Sequence, residues 1–361
     1  MTNSTERYQR QLMLDKFGST SQEKLSKARV LVIGAGGLGC PILQYLAAAG
    51  IGTIGIADDD KVTYSNLNRQ ILYGQADVGR YKVEAAKEKI EALNNEIKVI
   101  AYKERWNQEL SISYFPNYDI IVDATDNFAS RYLINDACVL LKKPLVFGAV
   151  SQFEGQVAVF NATTDGTSVN YRDLFPVPPK NNEVRSCAEA GVLGVIPGLI
   201  GVMQATEVIK LITGIGEPLI NKIAIYNALT QKIYALVISK TTESNKTLPE
   251  TIEAFKLTDY VYLCESSTVH EISKEEWMEA KNNYILVDVR EIGELPRLSE
   301  YDHLSIPLSQ LENRIDELNG HDIVFICQSG IRSQSAVTLI KNNATKVFSF
   351  KGGVIALLNL C

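Results

Sequence analysis

The run Gly34-Ala-Gly36-Gly37-Leu-Gly39 constrains this chain more than any other feature. It follows Arg29-Val-Leu-Val-Ile33, an apolar segment of strand composition. It precedes residues 38–49, where apolar side chains recur at helical spacing and the one breaker, Pro41, falls in the first turn. Strand, tight turn and helix in that order leave backbone N–H groups at the helix start with no Cβ in front of them, which is how a chain receives a phosphate. The alternation continues: strands are expected at 52–58, 97–102, 119–124 and 144–150, with an amphipathic helix at 81–93. An α/β fold follows, with a Rossmann-like, mainly parallel sheet covered on both faces. Residues 155–160, 222–226 and 231–238 instead alternate with turn residues and predict an antiparallel extension at one edge. Between them, 161–188 reads as one long loop with Pro176, Pro178 and Pro179, the size of a lid or binding segment.

At 361 residues the chain exceeds one ordinary domain of roughly 100–200 residues. We expect a nucleotide-binding domain over 1–245, a polar linker or domain-end extension over 246–265, and a smaller α/β domain over 266–361. In the last, helices are expected near 274–280, 309–318 and 331–341 and strands at 284–289, 322–327 and 346–350. The charge balance, 36 Lys and Arg against 42 Asp and Glu, gives a net charge of -6 and argues against nucleic acid or an anionic membrane as partner. The apolar stretch 192–212 is broken by Gly194, Pro197, Gln204, Glu207 and Lys210, so no membrane span is expected. Six scattered cysteines and a polar N-terminus point to a reducing, cytoplasmic setting without a disulfide framework. The three histidines all lie in the last quarter, so the first 260 residues work without imidazole.

The second expected strand ends at Asp58-Asp59-Asp60, where a carboxylate can accept hydrogen bonds from ribose hydroxyls. Next come Asn66, Asn68, Arg69 and Gln70, and then Lys82. A nicotinamide dinucleotide has no use for so much charge beyond its first phosphates. A triphosphate does, because Arg bridges its oxygens and Lys offsets charge developing between the α and β groups. Asp126, between Thr125 and Asn127 past the end of a parallel strand, is the candidate Mg²⁺ ligand. An NAD-dependent oxidoreductase remains open on the glycine turn and Asp58, and so does a non-catalytic binding module.

These motifs, with Arg7-Tyr-Gln-Arg-Gln11, Val78-Gly-Arg-Tyr-Lys82 and Asp123-Ala-Thr-Asp-Asn127 in the same order, resemble the ubiquitin-activating-enzyme superfamily, most of all its bacterial MoeB and ThiF branch. The resemblance covers about residues 1–240. It implies ATP-dependent adenylylation of the C-terminal glycine of a ubiquitin-like sulfur-carrier protein. It also implies Gly34, Gly36, Gly37, Gly39, Asp58, Asp60, Asn66, Arg69, Gln70, Lys82, Thr125, Asp126 and Asn127 as the nucleotide site, and a homodimer in which Arg10 reaches the partner's ATP. Zinc-binding members of the branch carry two Cys-x-x-Cys pairs. Here the first reads Asn170-Tyr-Arg-Asp173 and only Cys264 remains of the second, so no zinc is expected and packing or polar contacts must compensate.

Two thiols remain. Cys187, after Arg185 and ahead of a helix, resembles a position that links covalently to the carrier in the thiamine branch. Residues 286–291, Leu-Val-Asp-Val-Arg-Glu, and Phe325-Ile-Cys327-Gln-Ser-Gly-Ile-Arg332-Ser333 resemble a rhodanese, whose loop wraps backbone N–H groups around a cysteine sulfur. That resemblance implies a persulfide on Cys327 assisted by Arg332 and loaded by a sulfur donor such as a cysteine desulfurase. Asp288 and Arg290 are expected to brace the fold, the segment 294–305 departs from the usual rhodanese pattern, and Cys40 and Cys138 read as core.

Overall fold

The computed structural model describes residues 6–163, 166–176, 178, 191–242, 247–258, 260, 270–318, 320–340 and 346–358. The chain divides into two compact units, residues 1–264 and 265–361.

The first unit is built on eight strands: β1 (Arg29–Ile33), β2 (Thr53–Ala57), β3 (Lys98–Tyr102), β4 (Ile120–Asp123), β5 (Leu145–Ser151), β6 (Glu154–Phe160), β7 (Lys222–Asn227) and β8 (Lys232–Val237). Their order is β3-β2-β1-β4-β5-β6-β7-β8. The first five are mutually parallel, and β6 to β8 add antiparallel strands to the β5 edge. The centre of β1 is apolar at every position because both faces are covered. Val30 and Val32 pack with Leu43, Leu46, Ile90 and Ile200. Leu31 and Ile33 pack on the other side with Tyr118, Ile121, Tyr132 and Phe255. The edge strand β8 exposes Ile233, Tyr234, Leu236 and Val237.

Helix Val195–Thr213 is long and apolar enough to cross a membrane by length and composition. Here its small and polar positions fasten it to the sheet domain. Gly201 lies against Leu38 and Pro41, where a Cβ would not fit. Gln204 donates to the carbonyl of Asp123 at 2.7 Å, and Glu207 accepts from the backbone of Leu219 at 2.8 Å.

The segment expected as one long loop contains a buried helical turn, Tyr171–Leu174. Asn170 caps it, accepting from the N–H of Arg172, while Asp173 accepts from both nitrogens of Asn170. Arg172 forms a two-point pair with Asp136, and Asp173 also receives the N–H of Thr241 beyond β8. The Asn170 and Asp173 positions are therefore tied by polar contacts to each other and to the far end of the unit; Cys264 lies outside the described residues. Helix Ile252–Leu257 buries Phe255 in the first unit's core. That part of 246–265 is an extension of the first unit.

The second unit has a parallel sheet in the order β11-β10-β12-β13-β9, from β9 (His270–Ile272), β10 (Ile285–Asp288), β11 (Leu304–Ser305), β12 (Ile323–Ile326) and β13 (Val347–Phe350). Helices Lys274–Ala280, Ile331–Ile340 and Gly353–Leu357 accompany it. The helix expected at 309–318 is instead 3-10 structure with a break at Arg314, whose guanidinium pairs with Glu317 and reaches the carbonyl of Ser305.

Candidate active sites

Strand order reverses between β1 and β4, so the loops leaving their carboxyl ends run to opposite faces and open a crevice. A cleft of about 560 Å³ lies there, within the usual range of roughly 300–1,000 Å³ for small-molecule sites. Gly34 sits at φ +99°, and a Cβ on it would meet the carbonyl of Ala124. Gly39 does not line the cleft; a Cβ there would strike the carbonyl of Gly34, so this glycine serves turn and helix packing. Gly36 differs, because a Cβ there would meet nothing closer than Gln70 Nε2 at 3.6 Å. Internal packing does not demand a glycine at 36, while close approach of a ligand to the backbone does.

Asp58 follows β2 and accepts from the N–H groups of Ala35 at 2.8 Å and Asp60 at 2.9 Å, fixing the acid to the glycine turn. Burial pushes its carboxyl above the ordinary aspartate value, against the opposing pull of Lys82. The buried Lys82 ammonium lies 2.7 Å from Asp60 and 3.9 Å from Asp58. Arg69 borders the cleft with its guanidinium on Ser65 O and Asn68 Oδ1. Asn66 departs from expectation. Its side-chain Oδ1 accepts the N–H of Thr63 and closes the turn Tyr64–Asn66, while Asn68 faces the cleft in its place.

On the opposite wall, Thr125 is held by Asp123, exposed Asp126 faces the cleft, and Asn127 caps helix Phe128–Leu140 by accepting from Ser130. Asp126 offers the carboxylate oxygen that a hard divalent cation takes. Two buried polar atoms among the lining residues lack partners: Gln70 Oε1 and Arg131 Nε. Arg131 stacks over Phe128 and Phe147, and among the described residues its guanidinium reaches only the carbonyl of Thr125, at 3.4 Å. Buried donors and acceptors without protein partners fit a polar ligand. The sequence reading did not single out Arg131; the available signal was a guanidinium on the apolar face of a helix. Arg10, on helix Gln9–Leu12, is exposed and does not line its own chain's cleft. Cys187 lies outside the described residues. Cys40 and Cys138 are fully buried, and burial pushes both thiols up, Cys40 to about 12.

In the second unit Cys327 follows β12 and is 1% exposed. Its sulfur accepts the N–H groups of Gly330 at 3.2 Å and Ser333 at 3.3 Å, with Ser333 Oγ at 3.6 Å. Ser333 in turn donates to the carbonyl of Gly330 and meets Ser349 Oγ. Converging amides of this kind stabilise negative charge on sulfur. Arg290 pairs with Asp288 through Nε and Nη2, and its Nη1 donates to Pro296 O and Gln328 Oε1. Arg332 is held by Glu294 through two bonds of 2.6 and 2.7 Å.

Residues 8–247 match the ThiF family and residues 274–359 the rhodanese-like domain. The chain is 40% identical to a Mycobacterium tuberculosis protein named probable adenylyltransferase/sulfurtransferase MoeZ, over 97% of this chain and 92% of that one. It is 38% identical to adenylyltransferase and sulfurtransferase MOCS3 of Arabidopsis thaliana, over 93% and 79%. With the sulfur carrier protein adenylyltransferase of Thermus thermophilus it shares 48% identity over 65% of this chain and 88% of that one. Among solved structures, MccB of E. coli is similar at a TM-score of 0.58 and 25% identity, over 66% of this chain and 72% of that one. The chain is thus a member of the ThiF family that carries a rhodanese-like domain after its ThiF part.

Proposed function

We propose that this protein is an adenylyltransferase and sulfurtransferase for a ubiquitin-like sulfur-carrier protein. The first unit uses ATP to adenylylate the carrier's C-terminal glycine, and the second replaces AMP with sulfur held as a persulfide on Cys327. The observation that supports this most is one cleft that gathers the open backbone at Gly36, the acid Asp58 and the cations Arg69, Lys82 and Arg131, while its described lining residues include no His and no Cys. A carboxylate attacking the α-phosphorus needs alignment and charge compensation, not a protein nucleophile or an imidazole base.

In this reading the N–H groups of the glycine turn receive phosphate oxygens and Asp58 takes the ribose. Arg69 and Lys82 balance charge that grows on the phosphates, with Lys82 passing from Asp60 to the nucleotide. Asp126 would hold Mg²⁺, which when bound neutralises phosphate oxygens. Arg10 would reach the second site of a cytoplasmic homodimer, and no structural zinc would be needed. The persulfide's outer sulfur then attacks the acyl carbon and expels AMP, giving an acyl disulfide. A second thiol, with Cys187 as the candidate, attacks the inner sulfur, forms a disulfide with Cys327 and releases the thiocarboxylate. A cysteine desulfurase is the expected donor. A carrier of the molybdopterin-synthase small-subunit type is favoured, with the thiamine-pathway carrier as the alternative.

The test uses the purified full-length chain, each candidate carrier, ATP and a persulfide donor. Cys327→Ala should keep carrier-dependent ATP–pyrophosphate exchange and lose thiocarboxylate, read by intact mass of the carrier. Loss of exchange in that variant would refute the division of labour.

A further inference from the structure

We infer that Glu294 sets which sulfur donors load Cys327. It holds Arg332 so that the cradle presents no free positive charge, favouring a donor of low charge, a cysteine persulfide, over a small dianionic donor such as thiosulfate. The inference rests on the reading of Cys327 as the sulfur-carrying thiol.

An amide cradle with a guanidinium at its rim would ordinarily attract a dianion. Here both ends of the loop 327–332 are engaged by the segment that follows β10. Gln328, next to the cysteine, accepts from Arg290, whose same nitrogen also donates to the carbonyl of Pro296. Arg332, at the other end, is gripped edge-on by Glu294. Glu294 is itself fixed, since one of its oxygens accepts the N–H of Glu291 at 2.9 Å and its own N–H donates back to Glu291 O. Each guanidinium therefore has its own carboxylate, Arg290 on Asp288 and Arg332 on Glu294. The Arg332 pairing holds the Glu294 carboxyl at about 2, so the acid stays charged throughout the working range.

The transfer from either donor has the same form. The Cys327 thiolate attacks the donor's outer sulfur, and the donor's sulfur–sulfur bond breaks. The electron pair leaves with sulfite or with the donor's cysteine thiolate, and Cys327 keeps the persulfide. What differs is the charge brought to the rim. A thiosulfate dianion must displace Glu294 from Arg332 or do without that guanidinium's charge, whereas a persulfide leaves that pair intact.

The experiment measures sulfur loading of the full-length chain from thiosulfate and from cysteine persulfide, with cyanide as acceptor. Glu294→Gln, which keeps the shape and removes the charge, should lower the thiosulfate KM by roughly three- to tenfold with kcat nearly unchanged, and leave the cysteine persulfide KM as it was. Glu294→Asp should retain the wild-type preference. An unchanged thiosulfate KM in Glu294→Gln, or an equal change for both donors, would overturn the inference and make Glu294 a brace alone. If neither donor loads Cys327 in any form of the protein, the assignment of Cys327 itself fails.

Discussion

Arg172 and Asp136 give the sharpest stability prediction, because the pair is closed to water on every side. Their side chains are 2% and 0% exposed. Asp136 accepts from Arg172 Nε and Nη2, each at 2.8 Å, from the Tyr260 hydroxyl at 2.8 Å and from Asn135 Nδ2 at 3.0 Å. The guanidinium also lies 4.7 Å above the Tyr132 ring. Arg172→Met keeps an unbranched chain of similar reach over that ring but strips the carboxylate of its counter-charge and two of its four donors. At an effective dielectric of about 20, opposite charges about 4 Å apart attract by roughly 4 kcal/mol, and breaking a buried pair from one side costs about 3–5 kcal/mol. We expect a loss of about 4 kcal/mol.

The double variant Arg172→Met/Asp136→Leu removes the stranded charge as well. It leaves the Tyr260 hydroxyl one acceptor short, at roughly 1–3 kcal/mol for an unsatisfied buried group, while the Asn135 amide keeps Asn170 Oδ1. It should therefore be more stable than the single variant by about 1–2 kcal/mol, a non-additivity that only coupled partners produce. Urea unfolding of the full-length chain, followed by Trp106 with Trp277→Phe as background, reads the first unit alone, since Trp106 packs in the same core as Tyr132 and Tyr260. A single-variant loss under about 1 kcal/mol, or a double variant less stable than the single one, would refute the reasoning.

The nucleotide cleft gives two more. Gly36→Ala places a methyl that the fold accommodates in ordinary contact with Gln70 but a ligand would not, so the ATP KM in pyrophosphate exchange should rise about tenfold or more, roughly 1.4 kcal/mol, with the thermal midpoint unchanged. A lowered midpoint would mean that the glycine serves the fold. Asp126→Asn should cut exchange by about 10²-fold or more and raise the Mg²⁺ concentration needed for half-maximal rate. An unchanged Mg²⁺ profile would remove Asp126 from the metal's ligands.

Residues whose role depends on local geometry were legible in the sequence. The turn at 34–39 carries its demand for glycine in six consecutive positions, and the loop 327–332 is likewise one contiguous arc around a sulfur. Buried parallel strands show as unbroken apolar runs, so β1, β2 and β4 could be placed. Contacts set by pairing across the fold could not be read. Arg172 finds Asp136 at a separation of 36 residues and Arg332 finds Glu294 at 38, so the first reads from sequence as part of a long loop and the second only as a partner of the Cys327 sulfur. Asn66 and Asn68 are two residues apart, and only the turn closed by Thr63 decides which one turns to the cleft. Strands β9 and β11, three and two residues long, are too short to leave a period.

Lys82, Arg172 and Arg332 each sit beside a carboxylate, and the exposure of the acid separates their roles better than the exposure of the cation. Arg172 and Lys82 are almost equally buried, yet Asp136 is closed from water whereas the Asp60 side chain is 69% exposed. A carboxylate that regains water on release gives up its cation to an incoming anion at small cost, because the pair it leaves was already screened. A carboxylate that cannot regain water holds its partner permanently. Lys82 is therefore built to exchange Asp60 for phosphate, and Arg172 is built never to exchange. The Arg332–Glu294 pair lies between them, both side chains about one-third exposed and the acid tied to the backbone of Glu291. Such a pair opens only for an anion that binds better than Glu294, and that graded resistance lets one carboxylate discriminate among sulfur donors without blocking the cradle.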